Sequence, residues 1–191
     1  GYHALADEYR AVLADPGISP RFKAYALKLP TEKYFMGLLA SYDPLKIFEA
    51  CCAVMQRLAT GLKPDFLRVY HENVVMGSYR YTAELAGKRA LKNQCLVYLS
   101  QSGDLEFDAL AFAQFRSSDN MTDTDAALRS LSVFGGSHYE TALKEYVQRY
   151  GRESLAMDKW LTVQAVARRA ETLNQVKTLL QHSAYDPKVP N

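Results

Sequence analysis

The sequence predicts an all-α chain. Three observations carry this. Apolar residues recur at three- and four-residue spacing from end to end, the period of one helix face. Cap residues followed by proline recur at Ser19-Pro20 and Asp43-Pro44, where proline's missing N–H costs nothing in the first helical turn. Glycine and proline breaks then divide the chain into segments of helical length, with no convincing strand, low-complexity segment or long linker among them.

Taken in order, Tyr2, Leu5, Tyr9, Val12 and Leu13 form the first stripe, closed by Asp15-Pro16-Gly17. A short helix capped by Ser19 ends at Leu29-Pro30, because the residue before proline avoids the α region. Thr31 caps the next, through about Ser41. The Asp43-Pro44 start leads into Leu45 to Leu62, which is expected to bury Ile47, Cys51, Val54, Met55 and Leu58. Lys63-Pro64-Asp65 breaks the chain. Phe66, Leu67, Val69, Tyr70, Val74 and Val75 follow on a helix ending near Gly77. Thr82 starts a long helix with Leu85, Leu91, Cys95, Tyr98 and Leu99, stopped by Gly103. Asp104 caps a helix carrying Leu105, Phe107, Leu110, Ala111 and Phe115.

Thr122 and Asp125 read as a capping pair for the next helix, with Asp123 adding favourable charge at its N-terminus. Ala127, Leu128, Leu131 and Phe134 make its apolar face. After the Gly135-Gly136-Ser137 turn, Tyr139, Ala142, Leu143, Tyr146, Val147 and Tyr150 keep the helical spacing at every step. Glu140–Lys144 and Glu145–Arg149 sit at i,i+4 on its wet side, worth a few tenths of a kcal/mol each. Gly151 ends it.

In the segment Leu155–Ala167, Val163, Ala156, Ala167, Trp160, Met157 and Leu161 share one arc, while Asp158, Lys159 and Thr162 fall opposite. This is a core helix with one wet side, and Trp160 is expected to be largely buried. Gln164 projects into the apolar arc. It is either a buried amide bonded to nearby backbone or a polar group facing a channel. A last helix holds Leu173, Val176, Leu179 and Leu180, and the chain turns irregular through Pro187 and Pro190. About eleven helices joined by short connections suggest antiparallel hairpins stacked as a HEAT/armadillo-like α-solenoid, without a strict sequence period. The whole chain of 191 residues is read as one helical domain.

Composition excludes several classes of function. Lys plus Arg number 23 against 21 Asp plus Glu, a net charge of +2, so no bulk field points to nucleic acid or membrane. No apolar run approaches the ~18 residues of a bilayer span. The 13 tyrosines sit at helical spacing and read as core and rim rather than as base-stacking platforms. Three cysteines make no framework. Cys51, Cys52 and Cys95 read as buried thiols, which leans towards the cytoplasm or another reducing compartment.

Chemistry-bearing motifs are sparse. His71-Glu72-Asn73-Val74-Val75 approaches the zinc-binding His-Glu-x-x-His pattern, in which two histidines one turn apart hold the metal and the glutamate activates its water. Val75 stands where the second histidine is needed, so His71 and Glu72 read as helix-surface residues. His3, His138 and His182 have no ligand spacing. There is no Gly-x-Ser-x-Gly elbow or phosphate loop. No catalytic, metal or cofactor-binding residue is therefore assigned.

The ordered set Tyr9-Arg10-Ala11-Val12-Leu13, Lys88-Arg89-x-Leu91-x-Asn93-x-Cys95-Leu96, Asn120-Met121-Thr122-Asp123, Leu155-x-Met157-Asp158-Lys159-Trp160 with Gln164-Ala165, and Val176-x-x-Leu179-Leu180-x-His182 to Pro190-Asn191 resembles the C-terminal helical domain of zinc aminopeptidases of the alanyl-aminopeptidase (aminopeptidase N) family. The resemblance implies a part that closes over an active-site chamber and limits peptide entry and exit. The catalytic domain of the same polypeptide would supply zinc, the general base and the clamp for the substrate's amino group, whose Gly-Ala-Met-Glu-Asn motif is missing here. It further implies an array that continues beyond Asn191, peptide substrates for the parent enzyme, and inactivity of this chain alone. Left alone, the chain is expected to expose its terminal stripes, around Leu5 and Leu180, and to self-associate. A stand-alone helical-repeat binding module, and a structural or regulatory domain of an inactive homologue, are the alternatives.

Overall fold

The computed structural model describes residues 1–188; the Pro190-Asn191 end of the resemblance lies outside them. Eleven α-helices and no strand occur among the described residues, as the periodicity requires. The described residues fall into two compact units that divide after Asp104. None of the helices is long and apolar enough to cross a membrane among those described.

The first unit contains α1 (Tyr2–Ala14), α2 (Pro20–Ala26), α3 (Glu32–Leu38), α4 (Pro44–Gly61), α5 (Lys63–Glu72) and α6 (Ala83–Gln101). The caps fall where short polar side chains precede an apolar run. Ser19 accepts from the Phe22 N–H, Thr31 from Tyr34, Asp43 from Leu45 and Thr82 from Leu85, each satisfying an orphan donor of the first turn. The long helix α6 is the axis of this unit, with α2, α4 and α5 packed around it. It buries Leu91, Cys95, Leu96, Tyr98 and Leu99. Phe66 of α5 lies flat on Tyr98, ring centroids 4.5 Å apart. The expected break at Lys63-Pro64 is slight, because Pro64 occupies the first turn of α5 and Leu62 alone separates it from α4.

Three expectations fail in this unit. The α1 stripe is covered: Ala6, Tyr9 and Leu13 are buried as α1 packs on α2, α4 and α5. On α4, only Leu58 and Ala59 are buried; Ile47, Cys51 and Met55 are half-buried and Val54 is exposed. The helix expected to reach Gly77 stops at Glu72, because the Asn73 side chain turns back onto the Val69 carbonyl at 2.8 Å.

The second unit contains α7 (Leu105–Ser117), α8 (Met121–Phe134), α9 (Gly136–Tyr150), α10 (Ser154–Ala165) and α11 (Thr172–Leu179). Each packs on the next, and α7 and α8 also touch α9 and α10 respectively. Phe107, Phe115, Leu128, Leu131, Tyr146 and Val163 form its core. The cap of α8 is Asn120 rather than Thr122: its Oδ1 accepts the Asp123 N–H at 3.0 Å, while Thr122 is exposed. The Asp104 carboxylate, expected to cap α7, accepts instead from Lys63 at 2.8 Å within the first unit, and that ion pair holds its pKa below the usual carboxylate value. On α11, Leu179 is buried and Leu173 is exposed, as is Leu180, the residue that caps its C-terminus.

Candidate functional site

His71 and Glu72 close the last turn of α5. His71 is exposed beside the Tyr70 ring, and Glu72 accepts from Arg68 at 3.0 Å. Val75 lies beyond the helix end, so position 75 is off the helical frame that a His-Glu-x-x-His pair needs. Among the described residues no group of three His, Cys, Asp or Glu side chains is placed to hold a metal. The described residues therefore offer no donor set for zinc.

The scattered histidines have structural partners that sequence spacing does not reveal. His138 of α9 bonds Asp108 of α7 through Nδ1 at 2.6 Å and stacks on Phe112 at 4.4 Å. The second Asp108 oxygen is buried without a partner. His182 lies 5.0 Å from the Trp160 ring. Thirty residues separate His138 from Asp108, so only the packing of α7 on α9 reveals the pair.

Gln164 resolves as the buried amide. It is 3% exposed, donates to the Trp160 carbonyl at 3.0 Å and accepts from Gln175 at 2.9 Å. It also borders a small pocket of about 150 Å³ with Tyr139, Leu143, Arg169 and Thr172. Trp160 is only half-buried, held by its indole N–H donating to the Leu143 carbonyl at 3.1 Å. Its arc on the helical wheel identified the inward face but not that part of the ring stays uncovered.

Burial pushes the Cys95 thiol up to about 12. Such a thiol stays protonated and unreactive at neutral pH. The other two cysteines are half-buried on α4.

A second feature is apolar. Between α3 and α4 runs a groove of about 350 Å³ lined by Leu29, Pro30, Phe35, Leu39, Ile47, Ala50, Cys51 and Val54. A wall without polar anchors can exclude water or meet another apolar surface, but offers nothing to orient a reacting group.

Residues 2–191 match the family model DUF3458_C, a domain of unknown function described as ARM repeats. The chain belongs to this ARM-repeat family. Helical repeats of this kind agree with the solenoid-like array expected from the helix series. Aminopeptidase N of Escherichia coli strain K12 is 35% identical over 187 residues, covering 98% of this chain and 21% of the relative. Aminopeptidase N of Caulobacter vibrioides is 31% identical across 100% of this chain and 22% of its own length. Among solved structures, aminopeptidase A of Legionella pneumophila in complex with aspartic acid aligns with a TM-score of 0.81 at 25% identity, over 95% of this chain and 22% of that one. The chain thus spans about a fifth of the length of these proteins and resembles the C-terminal helical domain of the aminopeptidase N family, as the ordered motifs indicate.

Proposed function

We propose that this chain is the non-catalytic helical part of a zinc aminopeptidase that removes N-terminal amino acids from peptides. In this reading it closes the active-site chamber and controls peptide entry and exit. The observation that carries it is the end-to-end match to Aminopeptidase N relatives of about five times this length. Zinc, general base and amino-group clamp belong to the remainder of the polypeptide. The helices contribute walls, since packed helices within a unit hold their side chains more firmly than a loop would.

The test uses the natural polypeptide that carries this chain. It should hydrolyse aminoacyl anilides, lose activity to chelators, and discriminate against long peptides in kcat/KM. Removing residues 1–191 should relax the ratio between long and short peptides more than it alters zinc content. An intact polypeptide without aminopeptidase activity would overturn the reading and favour a helical-repeat binding module.

A further inference from the structure

The apolar stripe of α4 is continuous but only half of it is used. Ile47, Cys51, Val54 and Leu58 follow one another at three- and four-residue steps, the spacing of a single buried face. Leu58 is fully buried within the first unit, whereas Val54 is 37% exposed. The same face passes from a packed half into an open one without a change of chemistry.

Helix α3 sharpens the point. It has seven residues, none of them buried, and among the described residues it packs on no helix but α4. A helix this short is marginal without tertiary support. Its outer residues are nonetheless apolar: Tyr34, Leu38 and Leu39 are each more than half exposed. About half of the exposed large apolar side chains among the described residues fall between positions 22 and 54, one contiguous stretch of sequence. Patches of this density on soluble proteins mark contact sites. The charged residues next to the groove's lining in sequence are of both signs, Lys28, Lys33 and Lys46 with Glu32 and Glu49, which gives no single-sign run for a nucleic acid or an anionic surface.

We infer that the α3–α4 groove is the surface on which the rest of the same polypeptide docks, through an apolar segment with aliphatic or aromatic anchors. This rests on the proposed function and names the face that reading requires. The occupant follows from chain length: this chain makes up 21% and 22% of the relatives it matches, so about four-fifths of such a polypeptide lies outside it. A tethered segment competes at an effective concentration in the millimolar range, ahead of a second copy or a free partner. Docking there supports α3 and continues the buried stripe of α4 to its N-terminal end.

The experiment places single cysteines at Leu39 and Val54, which line the groove and are exposed, in the intact natural polypeptide and follows maleimide labelling of those positions by peptide mass spectrometry. Labelling about tenfold or more slower than in the urea-unfolded protein, the signature of a protected site, is expected at both, and independent of protein concentration. Faster labelling would overturn the docking surface. Protection that disappears on dilution in step with dissociation of a dimer would overturn it in favour of a second copy. Aminopeptidase assays on the same preparations separate the two readings. An active enzyme with rapidly labelled cysteines sinks the docking surface alone. An inactive polypeptide with protected cysteines sinks the enzyme reading and leaves the covered face standing.

Discussion

The hydroxyls of Tyr9 and Tyr98 meet on one acceptor. Tyr98 donates to the Leu27 carbonyl at 2.6 Å and Tyr9 to the same oxygen at 3.2 Å, with 3.2 Å between the two hydroxyls. The rings cross edge to face at 5.9 Å. Leu27 is the C-terminal cap residue of α2, so this one carbonyl ties α1, α2 and α6 together. The site is sealed: Tyr98 is fully buried and Tyr9 is 5% exposed.

A buried hydroxyl pair on one acceptor is costly to break on one side. Tyr98→Phe removes the shorter bond and deprives Tyr9 of its neighbour, which should cost about 1–3 kcal/mol. Tyr98→Ala also opens a cavity beneath Phe66 and should cost about 3–5 kcal/mol. Urea unfolding followed by circular dichroism measures both. A Tyr98→Phe variant as stable as the parent would mean that the hydroxyls contribute no net stabilisation.

Buried tyrosines also set an alkaline limit. Burial raises the pKa of Tyr139 and of Tyr146 to about 12, and raises those of Tyr9 and Tyr98 as well. The unfolded chain releases these protons near pH 10, so between about 10 and 12 the folded state binds more protons than the unfolded one. Stability is then fully present below pH 10 and falls as pH rises through that window. Thermal melts from pH 8 to 12 should show a flat melting temperature up to about pH 10 and a steep decline above it. Tyr146→Phe should make the decline shallower. An unchanged melting temperature at pH 11.5 would contradict the assignment (~pH 11.5 lies within the window).

The N-cap of α8 discriminates between two neighbouring residues. Asn120 Oδ1 accepts the Asp123 N–H, and the Asn120 carbonyl accepts the Thr124 hydroxyl at 2.9 Å. Asn120→Ala should therefore cost about 1 kcal/mol, whereas Thr122→Ala, at an exposed first-turn position, should change stability by less than about 0.5 kcal/mol. The reverse order would restore Thr122 as the cap.

That reversal illustrates which parts of the structure were legible. Asn120, Thr122 and Asp125 all carry cap chemistry, and sequence offers no measure of which backbone leaves the helical region first. Ser19, Thr31, Asp43 and Thr82 were legible because each stands alone before its apolar run, two of them with proline behind. Helix existence came from periodicity, but the fate of an apolar face did not. The stripes of α1 and α4 look alike in sequence, yet one is covered within the unit and the other opens into a groove. The difference depends on which helices pack around α6, a long-range matter. For the same reason Trp160 is half-buried although it sits at the centre of an apolar arc, and His138 and Asp108 were invisible as a pair. The Gln164 amide was legible because a polar residue in an apolar arc must find a partner.

The turn between α8 and α9 sets two penalties against each other. Gly135 adopts φ +68 and ψ −151, a region that is essentially open to glycine alone, where any other residue costs about 1–3 kcal/mol. A Cβ there would also come within 2.8 Å of the Arg169 guanidinium. These contributions differ in kind. The guanidinium is the end of a flexible side chain, lying over the Tyr139 ring at 5.6 Å and paired with the exposed Glu171 at 3.5 Å, so it can swing aside at little cost. The backbone dihedrals cannot change without re-aiming α9, whose first residue is the next glycine, Gly136, also at positive φ. Backbone strain should dominate. Gly135→Ala is expected to cost about 1–3 kcal/mol in the natural background, and close to the same in an Arg169→Ala background, with a coupling below about 0.5 kcal/mol. Urea unfolding of the two single variants and the double variant closes the cycle. A double variant that recovers most of the lost stability would show that the clash with Arg169, and not the backbone, is what requires glycine at this turn.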